Sequence, residues 1–327
     1  MITDTQGITI EESSFMFYTY LFVTKIQKQM LIGNEFFRIF VLLLIDRIIM
    51  EKDENIKILI CTHKLVPLPV HEYFFPIHGG AALASEALPY VRDDTGDNIS
   101  MKNRNYCELT AHYWFWKNCK CDIVGLNHYR RFFNFGHLHD WVVPERYYCD
   151  LERFMQRPYS FPENLSDLLN LYDIIKPPAH SWPYRVATQY AIFHVVNDLN
   201  VLREVIRDIT PDYLAAFDHL FYHSNSYSQY NMFIMRWELF DAYSEWLFSV
   251  LFEVEKRIKI SGYVDQARVF GYMAERLLTV FVEKNSLRVL SVPVDIPLCS
   301  TEGDRISGLH YKLRFLKHRL LFKWLNL

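Results

Sequence analysis

From residue 56 onward the chain alternates apolar runs with polar, helix-spaced segments, and that alternation predicts an α/β fold. IKILICTHK at 56–64 is an apolar run passing into polar residues, as in a buried strand that ends in a loop. Residues 65–104 are rich in Pro, Gly, Asp and Asn, with Gly79-Gly80 and DDTGDNISMKN at 93–103, and predict mostly irregular structure. YCELTAHYWFWKN at 106–118 has helical spacing, and CDIVGLNHYRRFF at 121–133 reads as a second strand running into a polar cluster. A loop-rich insertion follows to about residue 170, then the short strand LYDIIKPP at 171–178, stopped by two prolines. Residues 185–220 carry helix-like apolar spacing with acidic starts. Residues 230–258 read as a strand passing into a long helix near Trp237, residues 265–284 as another helix, and LRVLSVPV at 287–294 as a closing strand. Strands alternating with helices predict a mainly parallel sheet flanked by helices in one domain, residues 56–300.

Both ends of the chain stand apart from this pattern. Residues 1–55 read as a helical N-terminal extension. Their apolar run Ile39–Ile45 is bracketed by Arg38 and Asp46, far short of the roughly 20 residues that cross a bilayer. In the tail, residues 301–327, the stretch KLRFLKHRLLFKWLNL carries five Lys or Arg and no acid. Leu313, Leu316, Leu320, Trp324 and Leu327 form one apolar stripe, with Phe315, Phe322 and Leu325 off it. Such a basic amphipathic helix suits an anionic membrane surface, or packs on the domain with a solvated basic edge.

Composition narrows the classes. Hydrophobic residues make up 50% and charged residues 22%, so the chain can bury a core and is not disordered. The net charge of −3 argues against a nucleic-acid binder, which needs a clustered positive surface. Of the six cysteines only Cys119 and Cys121 lie close together, in a spacing unlike the usual zinc sites; free thiols in a reducing cytoplasm are the expectation. Aromatics reach 16%, which serves either an aromatic core or platforms for sugar rings.

Four groups of residues could carry chemistry. Thr62, His63 and Lys64 follow the first strand, where open α/β sheets bind ligands, although an ordinary strand exit reads the same. Asp94, Asp97 and Asn98 could hold a divalent cation or bond sugar hydroxyls, or they could satisfy a turn. His128, Tyr129, Arg130 and Arg131 end the second strand; arginines there suit a diphosphate, or bond acidic loops. On the helix from Asp265, the residues Asp265, Arg268, Tyr272, Glu275, Arg276 and Thr279 share one arc opposite Val269, Phe270, Met273, Leu277 and Val280. That arc is a solvated face or a site face, in which case Asp265 or Glu275 could act as a carboxylate base. Phosphate-loop, dinucleotide, zinc-helix and serine-elbow motifs are missing.

Five stretches together resemble one family: TGDNIS-x-KN at 95–103, YCELT-x-x-YW-x-WKN at 106–118, GLNHYRRFF at 125–133, YNMFIM at 230–235 and QARVFGYMAERLL at 266–278. The chain is similar, over about residues 56–295, to bacterial polysaccharide-biosynthesis glycosyltransferases long catalogued only as a domain of unknown function. The resemblance implies a GT-A-like α/β domain, a nucleotide-sugar donor, and a capsular, exopolysaccharide or O-antigen acceptor. Some similar proteins transfer galactofuranose from a UDP donor. By the same resemblance Thr62–Lys64 and Asp94–Asn98 would face the nucleotide, and Asn231, Gln266 and Arg268 would complete the donor-binding set. His128–Arg131 would stand where many GT-A enzymes carry an Asp-x-Asp metal motif. This chain has none there, so a divalent cation (Mn or Mg) is an open expectation.

The expected reaction is transfer of a hexosyl group from a UDP-sugar to a lipid-linked oligosaccharide, on the inner face of the plasma membrane. Arg130 and Arg131 would stabilise the departing diphosphate. Two rivals stand beside it: a sugar-phosphate transferase, and a non-catalytic saccharide-binding component of the assembly complex.

Overall fold

The computed structural model describes residues 54–137, 145–148, 154–155, 159–163 and 165–297. The expected N-terminal extension (but for its last two residues) and the basic tail lie outside the described residues, and the fold below is that of the unit from Asn55 onward.

Strand β1 (Ile56–Thr62) is followed by β2 (Phe74–His78) and the two-residue β3 (Val91–Arg92). A helical turn, α1 (Asn103–Tyr106), leads into α2 (Leu109–Asn118), β4 (Ile123–His128) and β5 (Phe132–Phe133). Next come β6 (Glu145–Tyr148), α3 (Leu165–Leu171), β7 (Ile174–Lys176) and β8 (Ala179–Ser181). Helices α4 (Val186–Phe193), α5 (Val196–Ile209) and α6 (Leu214–Asp218) precede β9 (Ser226–Ser228) and β10 (Phe233–Arg236). Helix α7 (Trp237–Arg257), helix α8 (Val269–Lys284) and strands β11 (Val289–Ser291) and β12 (Val294–Pro297) complete the unit.

Seven strands form the main sheet in the order β11-β7-β10-β4-β1-β2-β3. Every neighbouring pair is parallel except the two made by β10, which runs against β4 and β7. β1 is apolar almost throughout because both its faces are covered; Ile58, Leu59 and Ile60 are fully buried. The α2, α5, α7 and α8 helices supply the larger core. On α7 the buried Phe240, Tyr243, Leu247, Val250, Leu251 and Val254 recur at helical spacing, and its last turn carries Lys256 and Arg257, favourable at a helix C-terminus.

Three sequence expectations change. FFPIH at 74–78 lies in the segment read as mostly irregular, yet it is a strand paired in register from Ile58↔Phe74 to Thr62↔His78. Pro76 and the turn residues around it hide the strand signal. The ladder to β3 begins only at Ile77, so Pro76 meets no partner on that side. The closing strand 287–294 is two strands: after β11 the chain bends at Val292–Pro293, and β12 joins a second sheet ordered β5-β12-β6. The helix expected from residue 265 begins at Val269, after a 3-10 turn at Gln266–Arg268, and of its polar arc Asp265 and Arg268 are exposed while Arg276 is buried. Arg276 is 1% exposed; its guanidinium donates to Tyr272 O and Gln189 Oε1, both at 2.6 Å, between the rings of Tyr190 and Tyr227.

At the carboxyl edge of the sheet, buried Asp93 accepts hydrogen bonds from Gly80 N (2.8 Å), Ala81 N (2.9 Å) and Ser100 Oγ, tying the loop after β2 to the segment after β3. Gly80 has φ +71°, and a Cβ there would meet Asn103 Cγ at 2.6 Å, so glycine is required. On the same edge Lys176 ends β7, buried, with its Nζ donating to Ser228 Oγ at 2.7 Å. Burial lowers its pKa to about 8. Its folded value thus lies below its unfolded one, and the unfolded state binds more protons between them. Stability from this group therefore rises with pH through that window. Relative to Lys176→Met, the wild type should gain about 2 to 3 kcal/mol between pH 7 and pH 10 in urea unfolding. A stability difference independent of pH would contradict this reading.

Candidate functional site

The end of β4, the residues leading into β10 and the first turns of α8 enclose a cleft of about 220 Å³. Its cationic side comes from the strand end. After His128 the chain turns back, with Arg131 N–H donating to His128 O at 2.9 Å and Arg130 N–H to His128 Nδ1 at 3.2 Å. Burial, with Arg131 and Arg130 beside it, holds His128 well below the usual imidazole range, so the ring is neutral at pH 7. His128 stacks on buried Tyr129, ring centroids 4.4 Å apart, and His63 meets the same ring edge-on at 5.6 Å. Partial burial, Lys64 and Arg130 lower the pKa of His63 as well.

Three arginines line the cleft: Arg130, Arg131 and Arg268. Each lies over a tyrosine ring. The distances from guanidinium carbon to ring centroid are 5.0 Å for Arg130 on Tyr129, 4.0 Å for Arg131 on Tyr230 and 5.6 Å for Arg268 on Tyr272. Arg268 also donates from Nε to Cys107 Sγ at 3.2 Å, a thiol that burial pushes up to about 12.

Two carboxylates share the lining with these arginines. Glu108 Oε1 accepts from Asn231 Nδ2 at 2.6 Å, and the same amide reaches Gly271 O at 3.2 Å, joining the start of α2 to α8. Glu275 has a side chain only 22% exposed. Burial raises its pKa; Arg276 works against the rise, Glu108 adds to it, and Arg131 and a backbone hydrogen bond from Tyr230 oppose it. The outcome is a carboxyl above its ordinary range, within reach of a cationic wall.

The structure brings His128, Arg130, Arg131, Asn231, Arg268 and Glu275 together as lining, with Tyr129 and His63 packed behind Arg130. The remaining sequence candidates lie outside this lining. Thr62 Oγ1 donates to Lys64 O at 2.7 Å and accepts Lys64 N–H at 3.1 Å, a local turn that leaves the Lys64 side chain exposed. Asp94 forms a bidentate pair with Arg92, which holds its carboxyl below the usual range. Asp97 accepts from Tyr113 OH, and its N–H donates to Asn118 Oδ1, each at 3.1 Å. Asn98 bonds Gly96 O and Ser100 N–H. Asp265 is exposed, and Gln266 donates to Phe193 O at 2.8 Å.

Sequence reading missed Glu108, Asn127 and Tyr230 as part of the lining, and placed Tyr272 only on the arc that was a solvated or a site face. Asn127 is 1% exposed, and neither its Nδ2 nor its Oδ1 has a partner; Arg131 Nε is likewise buried and unpartnered. Among the described residues no three His, Cys, Asp or Glu side chains are grouped to hold a metal ion. The end of β4 offers a neutral imidazole, two guanidinium groups and the unpartnered Asn127 amide, with Glu108 and Glu275 in the same lining.

A family model described as a domain of unknown function, DUF4422, matches residues 57–286. No curated protein matches the chain. Among solved structures, the chain is similar to the apo structure of the bifunctional glycosyltransferase WbbM. The two are 30% identical with a TM-score of 0.65, and the match covers 74% of this chain and 45% of that one. The chain thus spans less than half the length of that relative. The mainly parallel, helix-flanked sheet expected from the sequence is the fold found, and it is shared with a glycosyltransferase structure.

An amide buried with four unused hydrogen-bonding positions weakens a fold, and natural proteins keep such groups mainly where a ligand uses them. Asn127→Leu, close in volume and apolar, should raise the unfolding free energy of the ligand-free protein by about 1 to 2 kcal/mol in urea titration. A destabilised variant would mean that the amide already has partners.

Proposed function

The chain belongs to the DUF4422 family, and from that premise we propose that it is a glycosyltransferase moving a hexosyl group from a UDP-sugar to a hydroxyl of a saccharide acceptor. The observation that carries the reading is one cleft lined by three arginines and by Glu275, whose side chain is 22% exposed. Breaking the anomeric carbon–oxygen bond leaves charge on the departing diphosphate. Arg130, Arg131 and Arg268 are donors for that charge, and the cleft limits the water that would otherwise screen it. The acceptor hydroxyl loses its proton as it attacks, and Glu275 takes it. A carboxylate with a raised pKa is the stronger base. Asp265, exposed and outside the lining, has no such setting. Direct attack by that hydroxyl on the face opposite the leaving group inverts the anomeric carbon.

The donor sugar is proposed as a hexose, with galactofuranose the form suggested by the sequence resemblance. The acceptor is proposed as a lipid-linked oligosaccharide of capsule, exopolysaccharide or O-antigen assembly. Among the described residues no helix is long and apolar enough to cross a membrane. Attachment to the inner face of the plasma membrane through the basic tail at 312–327 is part of the same proposal, and deletion of that tail should release the chain from vesicles.

The test is turnover with a panel of UDP-sugars and a soluble oligosaccharide acceptor, with the nucleotide product identified. UDP is expected; UMP would instead indicate a sugar-phosphate transferase, and no turnover a saccharide-binding component. Arg131→Ala should lower kcat/KM by about 100-fold, in the range for losing one charged donor to a transition state. The base works ionised, so rate rises with pH through the Glu275 pKa, above the ordinary glutamate value of about 4.3. Glu275→Gln should remove that limb along with most of the rate. A limb that persists in the variant would sink the assignment.

A further inference from the structure

Tyr230 joins parts of the cleft that no neighbouring stretch of sequence connects. Its backbone is left-handed, φ +68°, which is uncommon for a residue with a side chain and costs about 1 kcal/mol. From that conformation it makes three separate contacts. Its N–H donates to Glu275. Its ring lies under the Arg131 guanidinium at 4.0 Å. Its hydroxyl donates to Glu145 Oε1 at 2.6 Å, and that carboxylate, 4% exposed, also lies 3.0 Å from His180 Nε2.

We propose that Tyr230 is a positioning residue that fixes Arg131 relative to Glu275, held in place through its phenol by the Glu145–His180 pair. This deepens the reading of the cleft as a glycosyl-transfer site and rests on it. Arg131 is the cation offered to the departing diphosphate, and Glu275 the group offered to the attacking hydroxyl. The distance between those two groups has to match the reacting geometry closely.

Two features require more than ordinary packing. Arg131 has no ion pair among the described residues and its Nε is unpartnered, so the ring of Tyr230 is what orients a long, otherwise mobile side chain. The phenol in turn is pinned to a carboxylate on β6, in the second sheet, instead of reaching solvent. A ring serving only to fill space would need neither a buried acid nor a left-handed backbone.

The ring and the backbone can be separated experimentally. Glycine accepts φ +68° and keeps the N–H that meets Glu275, but it removes the platform. Phenylalanine keeps the platform and loses only the bond to Glu145. In the full chain, Tyr230→Gly should weaken UDP binding about tenfold by titration calorimetry, and Tyr230→Phe should restore affinity to within about threefold of wild type. The acid limb of the pH–rate profile should move to higher pH in the glycine variant, because Arg131, freed from the ring, no longer opposes the raised pKa of Glu275. If the glycine variant does not fold by thermal melt, Tyr230→Leu, which has bulk without an aromatic face, takes its place against phenylalanine.

Wild-type affinity in the glycine variant, equal losses in glycine and phenylalanine, or an acid limb left in place would each overturn the proposal. Inorganic pyrophosphate serves as a second probe. A wild type that binds pyrophosphate but not UDP overturns the nucleotide-donor reading while the Tyr230 comparison proceeds on pyrophosphate. Binding of neither overturns both.

Discussion

The site depends on the direction of one strand. β10 lies between β4 and β7 and runs against both. Parallel strands bring only their carboxyl ends to the ligand edge of a sheet. Reversal of β10 brings its beginning there as well, so Gln229 to Met232 arrive beside the end of β4. The same reversal sends α7 away from the opposite edge, where Trp237 N–H donates to Asp122 O at 3.0 Å just before β4 begins. The pairing is close: a Cβ on Gly125 of β4 would lie 2.8 Å from Ile58 Cδ1 and 2.9 Å from Phe233 O. Any side chain at 125 would push β10 outward and carry Tyr230 away from Arg131.

The cleft holds several features that oppose folding. Three arginines face one space, Asn127 has an unused amide, and Tyr230 sits in a left-handed conformation. Each is unfavourable without a ligand, and together they amount to a few kcal/mol that the remaining fold has to offset. The offset comes from the core behind it, where α7 and α8 bury Phe240, Tyr243, Leu247, Phe270, Leu277 and Phe281 against the sheet. Stability is concentrated in the helices, strain at the sheet edge. This is the division expected of a site preorganised for charge that appears only during reaction.

How much of this could be read from sequence follows from physical scale. β1, β4 and the passage from β10 into α7 were legible because each is a long apolar run with a sharp polar end. β2 was not: five residues with a proline at the centre look like the loops on either side. The arc on α8 was drawn correctly around the helix but misjudged at Arg276, because angular position does not reveal that α4 covers that part. At the site, GLNHYRRFF announced itself by cations ending an apolar strand, Arg268 and Glu275 by their shared arc on a helix, and Asn231 only through the family resemblance. Glu108 and Asn127 were invisible, since one acid at a helix start and one amide inside a strand acquire meaning only when a cleft opens beside them. For Asp94, Asp97 and Asn98 the sequence offered both ligand binding and turn chemistry, and spacing alone cannot separate them. The contacts formed by Arg92, Asn118 and Ser100 are those of a turn.

The aromatic content acquires a use beyond filling the core. An arginine ordinarily gains its orientation from a carboxylate, but such a pair cancels the charge that would attract an anionic ligand. Arg130, Arg131 and Arg268 form no ion pair among the described residues; Tyr129, Tyr230 and Tyr272 lie beneath them instead. A ring face holds a guanidinium by its quadrupole and its flat shape, and it leaves the positive charge and the edge donors free. The carboxylates of the cleft are correspondingly committed elsewhere, Glu108 to Asn231 and Glu275 to the Tyr230 backbone. At this strand end tyrosines supply the rigidity, and the arginines keep their full charge.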